Sequence, residues 1–348
     1  MNRIPLLVPD LPPVEALMPR LEHIFASGRA TNFGGLVVEL EDRLSKELGC
    51  YVITAANATL ALELCLTALE LAPGSEINCP ALTFPASATA IVRAGHSPNF
   101  VDVDRDTWCS AAKEIILGGG VKNVTLAVSA FGAALSEAQM AGLSMPIVID
   151  AAPAWGNQEA LRGALTCYSL HATKALIAGE GGAIACHDQR MAERLRALTN
   201  FGIGTGMVGT NAKMSEYHAA VALASLDTWP ERSDVRRAAH AAYWDMLTGL
   251  GLDGQDWYQG WTRTIFPVLL PLGTDVGLVM ARMEAAGIET RRWYYPLVCD
   301  SYRFSEYRRW KLPVSRSISS RLLGLPFFTG ITHAQMERVV TELKKCLA

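Results

Sequence analysis

The sequence YSLHATKALIAGEGGAIA at residues 168–185 carries the strongest structural signal in the chain. It places one lysine, Lys174, between a short apolar strand and a cluster of glycines, and another apolar run follows at residues 183–186. After Lys174 no further charge occurs before Glu180. A lysine in apolar surroundings loses hydration, which favours the neutral, nucleophilic amine that can form a Schiff base with a carbonyl. For any single lysine, the commoner alternative is a surface position beside a loop.

The composition of the chain suits a globular protein of two domains. It has 348 residues, of which 50% are hydrophobic and 19% are charged, so large cores can form. The formal net charge of −3 gives no reason to expect nucleic acid or an anionic membrane as a partner. Apolar runs fall short of the ~18–20 residues that span a bilayer, and the N-terminus lacks the features of a signal peptide. The scattered Cys and His residues favour a reducing, cytoplasmic setting and no metal site.

Short β-branched runs alternate with helical patterns through most of the chain. This alternation predicts an α/β domain of three layers, with helices on both faces of a mostly parallel sheet. We place the end of this large domain at residue 229. Residues 230–348 are expected to form a smaller α+β domain, with strands at 262–270 and 288–295.

An anion site is predicted where the strand at 51–54 runs into a helix that begins at Asn57 or Thr59. Free backbone N–H groups and the helix dipole both favour a phosphate at such a helix start. The small Ala58 lets the backbone approach closely, and Thr59 adds a hydroxyl donor. The alternative is that Asn57 or Thr59 only caps the helix.

A second candidate position is Asp150, which ends the apolar strand predicted at 145–150. An acid at the carboxyl end of a buried parallel strand points into the crevice where α/β proteins bind ligands. Asp also ends strands simply as a turn residue, and we interpret Asp102 and Asp104 in that way. Asp150 differs from them because Lys174 follows it after one further strand.

Together these positions match the chemistry of one ligand. Thr59 and Ser169 can donate to a phosphate. Asp150 can keep a ring nitrogen protonated, Lys174 can bind an aldehyde, and Phe84 can stack on a ring face. Pyridoxal phosphate contains all of these groups, so we predict this cofactor.

A literal G-x-G-x-x-G occurs at Gly204, Gly206 and Gly209. It would suggest an NAD-dependent sugar oxidoreductase if a strand led into it within a βαβ unit. Here the motif follows a predicted helix at 188–200. We therefore interpret it as a loop over a site and not as a dinucleotide fingerprint.

The chain resembles the sugar aminotransferases of the DegT/DnrJ/EryC1/StrS group, which have the aspartate-aminotransferase fold (fold type I of pyridoxal-phosphate enzymes). The resemblance extends from about residue 5 to the C-terminus, and SLHATK, EGG and GTNAKMSE are its most specific motifs. The other matching segments are SGRATNFGG, NATLALEL, PALTFPAS, VDVDRDTW, VIDAAPAWGN and LGLPFF.

The family pattern implies a role for each matching residue. Lys174 is the Schiff-base lysine and proton shuttle, and Asp150 pairs with the pyridine nitrogen. Asn211 matches an asparagine that reaches the phosphate from the neighbouring subunit, which implies a homodimer with shared active sites. The remaining implied cofactor contacts are Ala58, Thr59, Phe84 and Ser169.

The resemblance also implies the reaction. L-Glutamate gives its amino group to the cofactor, and the resulting pyridoxamine phosphate aminates a nucleotide-linked keto-deoxy sugar. The segment ETRRWYYPLV resembles the variable segment that meets the sugar nucleotide in this family. SLHATK together with ETRRW suggests a dTDP-4-keto-6-deoxyhexose aminated at C-4, with amination of a sugar at C-3 as an alternative. Arg29 and Glu180 are candidates for substrate contacts, and Arg291 and Arg292 could pair with the diphosphate or be exposed strand charges.

One position departs from the family pattern. The family has His or Gln near the phenolic oxygen of the cofactor, where this chain has Pro153. Proline offers no side-chain hydrogen bond, so this contact must be lost or supplied by another group. A cofactor-binding regulatory paralogue that catalyses no reaction is therefore a further alternative, which the paired Lys174 and Asp150 argue against.

Overall fold

The computed structural model describes residues 3–117, 124–143, 146–258 and 260–348, and it contains a seven-stranded and a two-stranded sheet. The large sheet has the strand order β1-β7-β6-β5-β4-β2-β3. Its strands are β1 Tyr51–Ala55, β2 Glu76–Pro80, β3 Ser97–Val101, β4 Val124–Val128, β5 Ile147–Asp150, β6 Ala164–Ser169 and β7 Gly182–Cys186. The small sheet pairs β8 Phe266–Leu269 with β9 Leu322–Leu325.

Helices connect and cover these strands. The helices of the N-terminal half are α1 Val14–Ser27, α2 Gly35–Leu48, α3 Ala58–Ala68, α4 Pro85–Arg93, α5 Ala112–Leu117 and α6 Glu137–Met140. The helices that follow are α7 Gln189–Leu198, α8 Glu216–Asp227, α9 Trp229–Leu247, α10 Val276–Ala285, α11 Pro313–Arg321 and α12 His333–Leu347.

The predicted α/β architecture with a mostly parallel sheet is confirmed. The neighbouring pairs β2–β3, β2–β4, β4–β5 and β5–β6 are parallel, while β7 runs antiparallel to β1 and β6. Every residue of β4, β5 and β6 is buried, as expected for strands covered on both faces. Residue 145, the first residue of the strand predicted at 145–150, lies outside the described residues. The carboxyl ends of β5 and β6 therefore meet at one edge of the sheet.

The buried apolar side chains form two clusters. The larger one surrounds the seven-stranded sheet and includes Trp293, Leu297 and Leu312 from late in the chain. The smaller one lies between the two-stranded sheet and helices α9, α10 and α12, and it includes Ile4 from the N-terminus. The boundary at residue 229 stays a prediction, and α9 begins there.

Two sequence predictions were wrong. Residues 288–295 do not form a strand: only single bridges occur, between Ile288 and Ile4 and between Arg291 and Gly324. The ring of Trp293 lies over Gly324, where an added Cβ would approach it to 2.1 Å, so the pairing does not continue. Asp102 is more than a turn residue, because its carboxylate accepts the backbone N–H groups of Val314 and Ser315 over 2.9 and 2.7 Å at the start of α11.

Candidate active site

Lys174 lies in the connection between β6 and β7. Its backbone N–H donates to the carbonyl of His171 over 2.9 Å, and the N–H of Ala178 donates to the carbonyl of Leu170 over 2.7 Å. Gly179 has a φ of +86°, a left-handed conformation that glycine adopts without a steric penalty. These features fold the connection into a compact turn beside the carboxyl end of β6.

The amine of Lys174 is poised toward its neutral form. The residue is half-buried as a whole, and burial of its ammonium group lowers the pKa of Lys174. The positive charge of Arg291 lowers it further, while the carboxylate of Asp150 opposes the shift. A lowered pKa raises the fraction of unprotonated, nucleophilic amine at neutral pH.

Asp150 lies at the end of β5 and is only 5% exposed. Burial raises the pKa of its carboxyl group, against hydrogen bonds from Ser87 and from the backbone of Ala152 and against the charge of Lys174. The hydroxyl of Ser87 donates to Oδ2 over 2.6 Å, and the N–H of Ala152 donates to Oδ1 over 3.1 Å. A protonated ring nitrogen placed beside this buried acid would favour its charged form.

Ser87 was missed by the sequence analysis. It is fully buried in the first turns of α4, and its hydroxyl is 2.8 Å from that of Thr83. The feature of the sequence that could have indicated Ser87 is its position three residues after Phe84, in the first helix after β2. Nothing in the sequence alone linked that turn to Asp150, because the two residues are 63 positions apart.

The predicted anion position lies at the start of α3. Asn57 is the N-cap, and its side-chain oxygen accepts the N–H of Leu60 over 2.9 Å, so the capping interpretation is correct for Asn57 and wrong for Thr59. Within the described residues no hydrogen bond uses the backbone N–H of Ala58 or Thr59. A Cβ on Gly182 would lie 2.8 Å from the Ala58 nitrogen, so glycine is required for this close approach. Two free N–H groups at a helix start fit a phosphate.

Ser169 lies next to this position. In the sheet, Gly182 pairs with Ala55 on one side and with Ser169 on the other. Ser169 is 6% exposed, and its Oγ accepts the N–H of His171 over 3.3 Å. Since that bond uses the oxygen as acceptor, the hydroxyl hydrogen can still be donated to a ligand.

Phe84 has an open ring face. It is 55% exposed although it lies between β2 and α4, and its ring meets the edge of Tyr294 at a centroid distance of 6.4 Å. Tyr294 is itself stacked on Phe131 at 5.4 Å. Burial and the charge of Asp150 raise the pKa of Tyr294, so its hydroxyl keeps its proton near Asp150. Sequence analysis did not single out Tyr294.

The remaining candidates are more peripheral. Asn211 is exposed, and its side-chain oxygen accepts a hydrogen bond from Lys213 Nζ over 2.6 Å. Glu180 is exposed and lies 3.7 Å from His171 Nε2. Arg29 is exposed, and among the described residues its side chain has no hydrogen bond or ion pair. Among the described residues, no hydrogen bond or ion pair joins any of these three side chains to Lys174.

The two arginines of the ETRRW segment interact with different groups. Arg291 is exposed and close enough to Lys174 and Tyr294 to affect both of their pKa values. Arg292 stacks on the ring of Tyr295 at 3.5 Å and donates to the carbonyl of Ser320 over 3.2 Å. Arg291 is therefore the better placed of the two to meet a ligand at Lys174.

The donor set as a whole fits pyridoxal phosphate. It combines a buried acid with a raised pKa, an amine with a lowered pKa, unused N–H groups at a helix start and an open aromatic face. Pro153 supplies no side-chain donor. Its carbonyl would lie 2.9 Å from a Cβ on Gly132, so close packing against the loop after β4 fixes this turn.

None of the helices among the described residues is long and apolar enough to cross a bilayer.

Comparison with known proteins identifies the family of the chain. Residues 14–344 match the DegT/DnrJ/EryC1/StrS aminotransferase family. The chain is 29% identical to dTDP-4-amino-4,6-dideoxy-D-glucose transaminase of Shigella dysenteriae, over 97% of each chain. It is 28% identical to UDP-N-acetyl-3-dehydro-alpha-D-glucosamine 3-aminotransferase of Acidithiobacillus ferrooxidans, over 85% of this chain and 84% of that one. It is also similar to the crystal structure of DesI in the presence of its TDP-sugar product, with a TM-score of 0.91 and 30% identity over 100% of this chain and 93% of that one.

The family match covers nearly the whole chain, and the similarity to solved structures supports the same fold. The chain therefore belongs to the DegT/DnrJ/EryC1/StrS family of pyridoxal-phosphate-dependent sugar aminotransferases.

Proposed function

We propose that this protein transfers the amino group of L-glutamate to the keto carbon of a nucleotide-linked keto-deoxy sugar. The observation that carries the proposal is the meeting of Lys174, whose pKa is lowered, with the buried acid Asp150 at one edge of the sheet. An amine and an acid held in this way can move protons at neutral pH. The substrate we favour is a dTDP-4-keto-6-deoxyhexose aminated at C-4, as in the name of the Shigella relative.

Pyridoxal phosphate, when bound, supplies an aldehyde that takes up the amino group and a ring that accepts electrons. The residues around it have separate tasks. Asp150 would hold a proton on the ring nitrogen, and Ser87 would keep that carboxylate oriented. Ser169 and the N–H groups of Ala58 and Thr59 would bind the phosphate.

Lys174 would carry the proton that each half of the transfer requires. Its unprotonated amine can remove a proton from the donor carbon, and its ammonium form can return one to the carbon of the sugar. Positioned acid–base catalysis of this kind is worth roughly 10²–10⁴-fold in rate. The lowered pKa supports this role, because both forms of the amine must be available near neutral pH.

The sugar nucleotide would enter past the ring of Phe84 and the side chain of Arg291. Phe84 is 55% exposed, so its open face can stack on the cofactor ring. Arg291 is exposed and electrostatically close to Lys174, which places a cation where a diphosphate or a carboxylate would bind. Arg292, Arg29 and Glu180 are weaker candidates, because none of them influences the pKa of Lys174 as Arg291 does. Arg292 and Glu180 also contact other groups.

We further propose that the active unit is a homodimer with shared active sites. Asn211 and Lys213 form an exposed polar pair on the loop before α8. The N–H of Ala56 donates to the carbonyl of Ala212 over 2.7 Å, so this loop lies beside the turn that leads into α3. Among the described residues, however, no hydrogen bond joins the side chain of Asn211 or Lys213 to Ala58 or Thr59. A second subunit would supply Asn211 to the phosphate, as the family pattern implies.

Amination at C-3 is the second candidate, since the Acidithiobacillus relative is named for that position. The experiment incubates protein loaded with pyridoxal phosphate with L-glutamate and, in separate reactions, with a dTDP-4-keto-6-deoxy sugar and with the corresponding 3-keto sugar, because the amino group can enter only at the keto carbon. Mass spectrometry detects the amino sugar, and proton NMR distinguishes C-4 from C-3 amination.

Variants separate catalysis from binding alone. Lys174→Ala should abolish both the product and the spectral change of the cofactor on adding glutamate, while the exposed Lys113→Ala should retain both. A spectral change with glutamate but no product from any keto sugar would overturn the proposed acceptor. No spectral change with any amino donor would instead favour the regulatory, non-catalytic alternative.

A further inference from the structure

A second pocket, which shares no lining residue with the site at Lys174, lies between α9 and residues 254–257, 261 and 263. Its volume is about 640 Å³, which is in the range of small-molecule sites. None of the residues that line it belongs to the candidate active site. Its walls include Arg237, His240, Trp244, Trp257, Trp261 and Arg263.

Arg263 brings a positive charge into this pocket without a matching carboxylate. The residue is 4% exposed. Its Nε donates to Nε2 of His240 over 2.8 Å, and its Nη1 donates to Oε1 of Gln255 over 3.4 Å. Its guanidinium lies 3.9 Å from the ring centroid of Trp257. Among the described residues no carboxylate lies within ion-pair distance of Arg263, and no hydrogen bond uses its Nη2.

The neighbouring groups do not neutralise this charge. Burial and the charge of Arg263 lower the pKa of His240 to about 3, so His240 is neutral and can accept the hydrogen bond. Burial lowers the pKa of Arg263 to about 9, so it stays charged at neutral pH. Asp245 and Asp256 also line the pocket but form no ion pair with it. A buried cation without a partner is costly unless an anion joins it.

The remaining walls are aromatic. Trp244, Trp257 and Trp261 line the same space, and Trp257 meets Trp261 edge to face at 5.3 Å. Gly254 leaves room for Trp244, because an added Cβ would lie 2.6 Å from that ring. Flat aromatic walls favour a flat aromatic ligand, which gains contact area and ring–ring interactions.

We propose that this pocket binds a small aromatic carboxylate, whose carboxylate pairs with Arg263 while its ring packs against the tryptophans. Nη2 of Arg263 supplies the unused donor, and a carboxylate is the planar acceptor that a guanidinium matches best. Occupation would neutralise the buried charge that the chain itself leaves unpaired.

Calorimetric titration of the pyridoxal-phosphate-loaded protein with indole-3-acetate tests this proposal. The neutral analogue indole-3-acetamide serves as the matched ligand. We expect the acetate to bind at least about tenfold more tightly than the acetamide, because a hydrogen bond to a charged group exceeds one to a neutral group. Arg263→Met should remove this preference.

Two further variants complete the test. Arg308→Met is the control, because Arg308 also stacks on a tryptophan, Trp310 at 4.6 Å, but it is exposed and paired with Glu76. It should bind indole-3-acetate like the unmodified protein.

Ala241→Trp places a large side chain into the pocket from the exposed surface of α9 and leaves Arg263 itself unchanged. It should abolish binding, and it keeps the proposal testable even if Arg263→Met fails to fold. Absence of binding at millimolar ligand, or equal binding by the unmodified protein and Ala241→Trp, would overturn the proposal.

Discussion

The hydroxyl of Ser87 donates to Oδ2 of Asp150 over 2.6 Å, and both residues are buried. The bond joins the start of α4 to the end of β5 across 63 positions of sequence. This hydrogen bond favours the charged form of Asp150, while burial of the carboxyl group raises its pKa and favours the neutral form. The charge that would face the cofactor ring therefore depends on a residue that itself need not touch the ring.

We expect Ser87→Ala to weaken pyridoxal phosphate binding by about tenfold, since a hydrogen bond to a charged acceptor is worth about 1.5–3 kcal/mol. The pKa of Asp150 should rise further in this variant. The measurement is titration of the apoprotein with cofactor, followed by visible absorbance. Ser110→Ala is the control, because Ser110 is equally buried but bonds to the backbone of Val128. Equal losses in both variants would show a general packing effect.

Asp150→Asn should separate two effects of the buried acid: its effect on the stability of the apoprotein and its contribution to cofactor binding. Because burial raises the pKa of Asp150 above 3.8, its contribution to stability is fully present below that value and is lost as the pH rises through the higher, folded-state pKa. The asparagine variant has no such loss. Its apoprotein should therefore gain melting temperature relative to the unmodified apoprotein between pH 4 and pH 7, while cofactor affinity falls at least about tenfold.

Melting curves of both apoproteins from pH 4 to pH 8 check this sign. A difference in melting temperature that stays constant over this range would mean that the folded protein does not penalise the ionised form of Asp150.

Phe84→Ala should affect ligand binding more than stability. The ring is 55% exposed, so its loss should change the free energy of unfolding by less than about 0.5 kcal/mol. Loss of stacking should weaken cofactor binding by about two- to tenfold, corresponding to roughly 0.5–1.5 kcal/mol. Phe25→Ala, at a ring that is 75% exposed on α1, is the matched control. Unchanged cofactor affinity in Phe84→Ala would place the ring outside the cofactor site.

Glu216 should be a strong determinant of stability. It is 1% exposed, and its carboxylate accepts the N–H groups of Leu36 and Val37 over 2.8 and 3.0 Å at the start of α2. Glu216→Ala leaves two buried donors without a partner and should cost about 2–3 kcal/mol in unfolding free energy. Glu216→Gln keeps one acceptor oxygen and should cost less.

Urea denaturation measures this difference. Gly34→Ala gives an independent check, because its Cβ would lie 2.5 Å from Cδ of Glu216 and would displace the same carboxylate. If Glu216→Ala were as stable as the unmodified protein, water would have to accept the hydrogen bonds of the Leu36 and Val37 N–H groups at the start of α2.

Much of the fold could be predicted from local pattern. Buried strands such as β4 and β5 are largely apolar, with only Thr125 and the terminal Asp150 as polar residues. Helices such as α7 and α12 repeat their apolar residues at helical spacing. The failure at 288–295 arose because strand propensity does not reveal a partner. Arg291 does exchange two hydrogen bonds with Gly324, but the pairing ends after that residue.

The sequence by itself determined that Asp150 ends one buried strand and that Lys174 follows another, because residue type and strand patterning are local properties. It also indicated the start of α3 as an anion position. Only the tertiary structure decided which distant groups support these residues: Ser87 for Asp150, Gly182 for the turn at Ala58, and Glu216 for α2. Such contacts arise when strands far apart in the chain become neighbours in a sheet, and no local pattern encodes that adjacency.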